Sequence, residues 1–182
     1  RHIMSNMFNS PSKPFYQSAI SMGLEPIPIE VYANFAIRMF EEHDKHIDRE
    51  VAETVWKHFD GYTWFVQMMM NELFALTPLG NTCQMEQIDE AKQHVILTQE
   101  ASYKDILSNV AVKQKLLLQA IAKEGVARNI TSSKFIKKYN LNSASSVQSA
   151  VKLLLKSDLI TQTEKGYRVY DFFLSEWLAT VY

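Results

Sequence analysis

Ser143-Ala144-Ser145-Ser146-Val147-Gln148-Ser149-Ala150-Val151-Lys152-Leu153-Leu154-Leu155-Lys156, followed closely by Leu159-Ile160-Thr161-Gln162-Thr163-Glu164-Lys165-Gly166-Tyr167-Arg168-Val169-Tyr170, is the stretch on which the reading of this chain turns. In its first part Val147, Ala150, Val151 and Leu154 recur at three- and four-residue steps, the period of a helix with one buried stripe. Asn142 or Ser143 stands where the cap of such a helix is needed. In the second part Leu159 to Glu164 and Tyr167 to Tyr170 are short β-prone runs separated by Lys165-Gly166, the pattern of a compact hairpin.

Working outward, Leu116, Leu117, Ala120 and Ile121 predict a helix over 112–123, ended by Gly125. A short helix capped by Thr131 follows, with Phe135, Ile136 and Tyr139 facing inward. Beyond the hairpin, a closing helix from Asp171 to Thr180 presents Phe172, Phe173, Trp177 and Leu178. Three helices, the last two joined by the few residues around Leu141, make a helix-turn-helix, and the hairpin adds a wing. The predicted fold of this half is a winged helix.

The first half has another rhythm. Four prolines (Pro11, Pro14, Pro26 and Pro28) make residues 1–28 an irregular arm around a short helix near Phe15 to Ile20. Tyr32, Phe35, Ala36, Met39 and Phe40 predict an amphipathic helix from Ile29 to about Lys45, with Pro28 in its first turn. Asp48 is placed to cap a second helix, Arg49 to Phe59, whose buried stripe is Val51, Val55 and Phe59 and whose stop is Gly61. A third helix, Thr63 to Ala75, carries Trp64, Phe65, Met68, Met69 and Phe74 and is predicted to be the most buried of this half. After Pro78, Gly80 and Asn81 a fourth begins near Met85, with Ile88, Ala91 and Val95 inward. The fold class is mainly α: a small antiparallel helical bundle, then the winged helix.

The chain has 182 residues, 47% hydrophobic and 21% charged, enough for one compact domain or two small ones. That composition excludes a mainly disordered chain, and five glycines with five prolines exclude a collagen-like one. No apolar run approaches the roughly 20 residues of a membrane span, and the first 20 residues lack the pattern of a secretory signal. No membrane partner is expected, and the expected compartment is the cytoplasm. A lone cysteine, Cys83, excludes an internal disulfide and a thiolate zinc site. His43 and His46 lie one helical turn apart, but this polar stretch near a helix end reads as a solvated C-terminal cap rather than a metal pair.

The net charge of −1 hides an asymmetry: residues 111–182 hold eleven Lys and Arg against five Asp and Glu, while the first 110 hold eight against fifteen. The basic half suits an anionic partner such as nucleic acid. On the third helix of the winged helix, Ser145, Ser146, Gln148, Ser149 and Lys152 lie away from the apolar stripe. Such a helix fits the DNA major groove, where Gln148 would read adenine and Lys152 and Lys156 would meet phosphates. Lys134, Lys137 and Lys138 on the preceding helix, with Lys165 and Arg168 on the wing, would add backbone contacts. A protein partner at the same face is the competing reading.

Three strings, Leu116-Leu117-Leu118-Gln119-Ala120-Ile121-Ala122-Lys123-Glu124-Gly125, Ser145-Ser146-Val147-Gln148-Ser149-Ala150 and Tyr167-Arg168-Val169-Tyr170-Asp171-Phe172-Phe173-Leu174-Ser175-Glu176-Trp177-Leu178, resemble the C-terminal winged helix of archaeal-type AAA+ ATPases, a family also found in Bacteroides-like bacteria. Arg1-His2-Ile3-Met4 resembles the segment after that family's sensor-1 strand, and Lys13-Pro14-Phe15-Tyr16 its R/K-P-F-Y element. Phe59-Asp60-Gly61-Tyr62 resembles the lid element written G-x-P, with Thr63 where many relatives carry proline. The resemblance implies that residues 1–24 are a remnant of the ATPase core, 25–108 a helical lid and 109–182 the winged helix. It also implies that Lys13 contacts a phosphate and that Gly61 and Tyr62 take part in nucleotide sensing.

No G-x-x-x-x-G-K-S/T loop occurs, nor an apolar strand ending in paired acids, so this chain by itself has no cradle for a triphosphate and no magnesium site. It also begins with Arg1 rather than methionine. The expectation is the C-terminal part of a larger ATPase, with no cofactor and no catalytic residue of its own. ATP and Mg would belong to the parent protein, whose core would be a partner and which has room to be a homo-oligomer. A stand-alone winged-helix transcription regulator and a protein-interaction adaptor are the alternatives.

Overall fold

A computed structural model describes residues 8, 11, 12, 14–16, 18 and 23–181. Its elements run α1 (Ile29–Glu41), β1 (His46–Ile47), α2 (Arg49–His58), α3 (Thr63–Leu76), β2 (Thr82–Cys83), α4 (Gln87–Ser108), α5 (Val112–Glu124), α6 (Ser133–Lys138), α7 (Ala144–Lys156), β3 (Ile160–Thr163), β4 (Gly166–Val169) and α8 (Phe172–Val181). The fold is mainly α, as the periodicity predicts. Two compact units divide after Ala101, inside α4. Tyr103 and Leu107, in the last turns of that helix, are buried in the second unit, where the Tyr103 ring lies 5.6 Å from that of Trp177.

In the unit of residues 24–101 the core is built from Tyr32, Ala33, Ala36 and Phe40 of α1, Val51, Ala52 and Val55 of α2 with Phe59 just beyond it, and Phe65, Val66, Met69, Met70 and Leu73 of α3. The predicted stripe of α2 is borne out. Phe35 and Trp64 are not inward: they are 39% and 57% exposed, because each stands one position off the stripe that its helix turns to the core. Met68 and Phe74 are half-buried. The helix starting at Ile29 ends at Glu41 rather than Lys45, and Lys45 instead turns back, donating from Nζ to Phe74 O at 2.6 Å with the Phe74 ring centroid 4.1 Å away. His46 therefore lies in β1, which pairs in parallel with β2 (His46 with Thr82, Ile47 with Cys83), and does not share a helix with His43. His43 Nδ1 lies 2.9 Å from the carbonyl of Met39, as a C-terminal cap does.

Four helices end alike, on a device that a search for glycine overlooks. Asp44, Asp60, Asn140 and Asp158 have φ of 52°, 50°, 51° and 55°. The amide after each bonds to the carbonyl five residues earlier: Lys45 to Phe40, Gly61 to Trp56, Leu141 to Ile136 and Leu159 to Leu154, all at 2.9 or 3.0 Å. This is the Schellman closure, with the short polar side chains of Asp and Asn tolerating the left-handed position. Gly61 thus follows the left-handed residue that stops α2 rather than being the first such residue.

In the unit of residues 102–181, α5 packs against α7, α8 and β4. Val147, Ala150, Val151 and Leu154 of α7 are all buried, as predicted, and α7 is capped by Ser143, whose Oγ accepts from Ser146 N at 3.2 Å. On α5 Leu117, Ala120 and Ile121 are buried as predicted, Leu118 and Ala122 widen the buried set, and Leu116 is 39% exposed, outside it. The cap of α6 is Ser132, not Thr131; its Oγ accepts from Phe135 N. Phe135 is buried, Ile136 and Tyr139 half-buried. The hairpin turns on Glu164-Lys165, with Gly166 already in β4 opposite Thr163. Gly166 has φ +139°, and a Cβ there would sit 2.5 Å from Ala127 O, since Ala127 and Tyr167 exchange two backbone bonds beside the wing.

The closing helix is capped by Asp171, whose Oδ1 accepts from Leu174 N at 2.9 Å. Burial pushes the Asp171 carboxyl above the usual carboxylate range, while bonds from the Leu174 and Phe173 amides pull it down. A raised folded pKa means that ionisation disfavours the fold, so stability is highest below the unfolded pKa and declines as pH rises toward the folded one. Asp171→Asn keeps the acceptor without the charge. It is expected to match or exceed the wild type in urea melts at pH 7 and to lose that advantage in acid, whereas Asp171→Ala is expected to cost about 1 kcal/mol through the lost cap.

Candidate nucleic-acid interface

The surface of α7 resolves into three stripes. The first is the buried one. The second, Ser145, Gln148, Lys152 and Lys156, runs at three- and four-residue steps along the outward side, and all four are exposed. The third, Ser146, Ser149 and Leu153, faces a groove of about 650 Å³ whose other wall is the start of α5, Ala111 to Gln114. The five α7 side chains that the sequence groups on one polar face are thus separated by the position of α5: Gln148 and Lys152 point outward, Ser146 and Ser149 line the groove, and Ser145, exposed in the first turn, belongs to both. Ser149 Oγ already donates to Ser145 O at 3.0 Å, and Ser145 Oγ lies 3.1 Å from Ser143 Oγ.

The cations are also not equivalent. Lys138 Nζ and Tyr139 Oη both donate to the Glu124 carboxylate at 2.6 Å, tying the end of α5 to α6. Bonds from Lys138 and Tyr139 hold the Glu124 carboxyl below its ordinary range, and the bond to Glu124 raises Lys138. Lys138 is therefore engaged within the fold. The Arg168 guanidinium lies 4.1 Å from the Phe172 ring centroid, where the π face attracts it. Lys134, near enough to Glu124 to lower its pKa, remains exposed, as do Lys137, Lys152, Lys156 and Lys165. Among the described residues Lys137, Lys152, Lys156 and Lys165 form no side-chain ion pair. One wing residue escapes sequence reading: Arg128 donates from Nε to Lys165 O at 2.8 Å and steadies the turn. The partners lie 37 residues apart, so no local pattern announces the bond.

In the other unit, Gly61 is buried, with Trp56 and Pro26 against its Cα. Tyr62 is half-buried at the N-cap position of α3, its ring 6.4 Å from Phe65. Lys13 lies outside the described residues. Among the described residues no three His, Cys, Asp or Glu side chains are grouped to hold a metal ion, and no helix is long and apolar enough to cross a membrane.

Residues 101–180 match the family described as "Probable winged helix domain". The chain is also similar in structure to the Walker-type ATPase paby2304 of Pyrococcus abyssi, with a TM-score of 0.64 and 14% identity over 93% of this chain and 47% of that one. At that identity the likeness is one of fold, and the chain spans about half the length of the ATPase. No curated protein matches the sequence. Both findings agree with the resemblance to the C-terminal region of an ATPase: residues 101–180 match a winged helix domain model, and the chain has the fold of part of a Walker-type ATPase.

Proposed function

We propose that this chain is the lid and winged-helix portion of an ATP-hydrolysing protein, and that its winged helix docks on duplex DNA through α7 and the wing. The observation that carries the DNA reading is the outward stripe of α7: Ser145, Gln148, Lys152 and Lys156, exposed on one side of a helix whose opposite side is core. An α-helix fits the major groove, a glutamine pairs with adenine, and lysines at the margins meet phosphates. Lys134 and Lys137 on α6 and Lys165 on the wing supply further positive charge on the same domain. In this reading the helices of residues 24–101 form the lid, which would pass the nucleotide state of a core holding ATP and Mg to the winged helix. That half of the proposal requires a G-x-x-x-x-G-K-S/T loop in the polypeptide encoded ahead of Arg1.

Titration of the chain into a 20-base-pair duplex at several salt concentrations tests the DNA reading. Log affinity is expected to fall linearly with log salt, by about 0.9 for each phosphate neutralised. Replacing Lys134, Lys137 and Lys152 together by Glu is expected to flatten that slope by about three and to weaken binding on every duplex. Equal binding by the triple variant would remove this surface from the proposal, and no binding by the wild type would pass the face to a protein partner.

A further inference from the structure

The groove beside α7 is chemically one-sided. Val112, Lys113 and Gln114 stand on its α5 wall, and Ser145, Ser146, Ser149 and Leu153 on its α7 wall. No Asp or Glu lines it. Among the described residues the Lys113 ammonium and the Ser146 hydroxyl take part in no side-chain hydrogen bond or ion pair. Gln114 uses its Oε1 on Ala111 N, which leaves its NH₂ as the group on offer. The one charge on the groove is therefore the Lys113 ammonium, with the Ser146 hydroxyl and the Gln114 NH₂ able to donate beside it, so the groove suits an anionic occupant rich in acceptors. The apolar surface is not incidental: Val112 is 71% and Leu153 51% exposed, flanking the donors. An occupant that alternates anionic oxygens with C–H surface satisfies both features.

We infer that this groove seats the sugar–phosphate backbone of one DNA strand, with Lys113 and Ser146 on a phosphate and Val112 and Leu153 against deoxyribose. The inference rests on the DNA reading above and extends it. A helix whose outward stripe lies in the major groove is bordered by a backbone on each side. The stripe Ser146, Ser149 and Leu153 is the border that the outward residues leave, and α5 makes it a channel rather than an open flank. Ser146 and Ser149 are accordingly backbone-positioning residues, and base reading falls to Gln148.

The test uses the full chain and the same duplex series, with Lys113→Gln, Ser146→Ala and the double variant. Because neither side chain holds the fold together, melting temperatures should not move. The double variant is expected to bind on the order of tenfold more weakly, by the same factor on every duplex sequence, with a salt slope smaller by about one. Gln148→Ala, by contrast, should change the ranking of duplexes. Wild-type affinity and slope in the double variant, alongside weakened binding by the lysine triple variant, would overturn the groove assignment and leave the DNA reading standing. Absence of wild-type binding to any duplex, with a hexaglutamate peptide bound in a Lys113-dependent way, would overturn both.

Discussion

Gly61→Ala is expected to destabilise the unit of residues 24–101 by roughly 2–5 kcal/mol, combining left-handed backbone strain with overpacking. Gly61 has φ +68°, and a Cβ there would lie 2.4 Å from Trp56 Cζ2, 2.7 Å from Cε2 and 2.9 Å from Pro26 Cβ. Neither neighbour yields easily. The Trp56 indole is pinned by its Nε1, which donates to Ile27 O at 2.9 Å and so ties α2 to the segment before α1. Moving the ring breaks that bond and frees the segment leading to Pro28. Gly80→Ala is the internal control, since Gly80 has φ +72° with nothing within 4 Å of its Cβ position. It should show the backbone strain alone, about 1–2 kcal/mol. Denaturant melts followed by tryptophan emission separate the two variants. If Gly61→Ala melted like Gly80→Ala, the packing account would fail, and nucleotide sensing, the role implied by family resemblance, would be the better reason for a glycine here.

Leu154→Ala is the second large effect, expected to cost about 2–5 kcal/mol through a cavity in the winged helix. Leu154 is 0% exposed, the innermost member of the α7 stripe, and α7 packs on both α5 and β3. Its carbonyl also receives Leu159 N at 3.0 Å, the bond that closes α7 and starts the hairpin. A cavity beside that bond loosens the attachment of the wing as well as the helix. Against a total stability of about 5–15 kcal/mol for a small domain, the loss removes much of the margin. Hydrogen exchange should show faster opening in α5, α7 and β3, and no change in α1 to α3. Duplex binding should fall with it, because the outward stripe depends on the helix being held. The neighbouring Leu153→Ala, at a half-exposed position, is the contrast that separates core packing from surface contact.

Much of this chain was legible from local pattern. Val147, Ala150, Val151 and Leu154 declare a buried helical face, the pair Asn142-Ser143 and Asp171 mark the starts of helices, and Val51, Val55 and Phe59 declare a second stripe. Each of these depends on residues a few positions apart, where helical period and capping chemistry act directly. Asp44, Asp60, Asn140 and Asp158 were present in the sequence too, but whether an Asp or Asn takes the left-handed position depends on the helix closing behind it.

The rest waited for the tertiary fold. The two-residue strands β1 and β2 are too short to carry a period and exist because the loops after α1 and α3 meet. Phe35, Trp64 and Leu116 match a hydrophobic pattern yet are exposed, since residue type records the capacity for burial and neighbouring elements decide its use. The same reason governs the site. Sequence alone determined that the second half is basic, helix-turn-helix in plan and winged. Only the fold committed Lys138 to Glu124 and set Arg168 over Phe172. It also divided the polar side of α7 into an outward stripe and a groove, because that division depends on α5, whose position is settled by packing between residues distant in the chain.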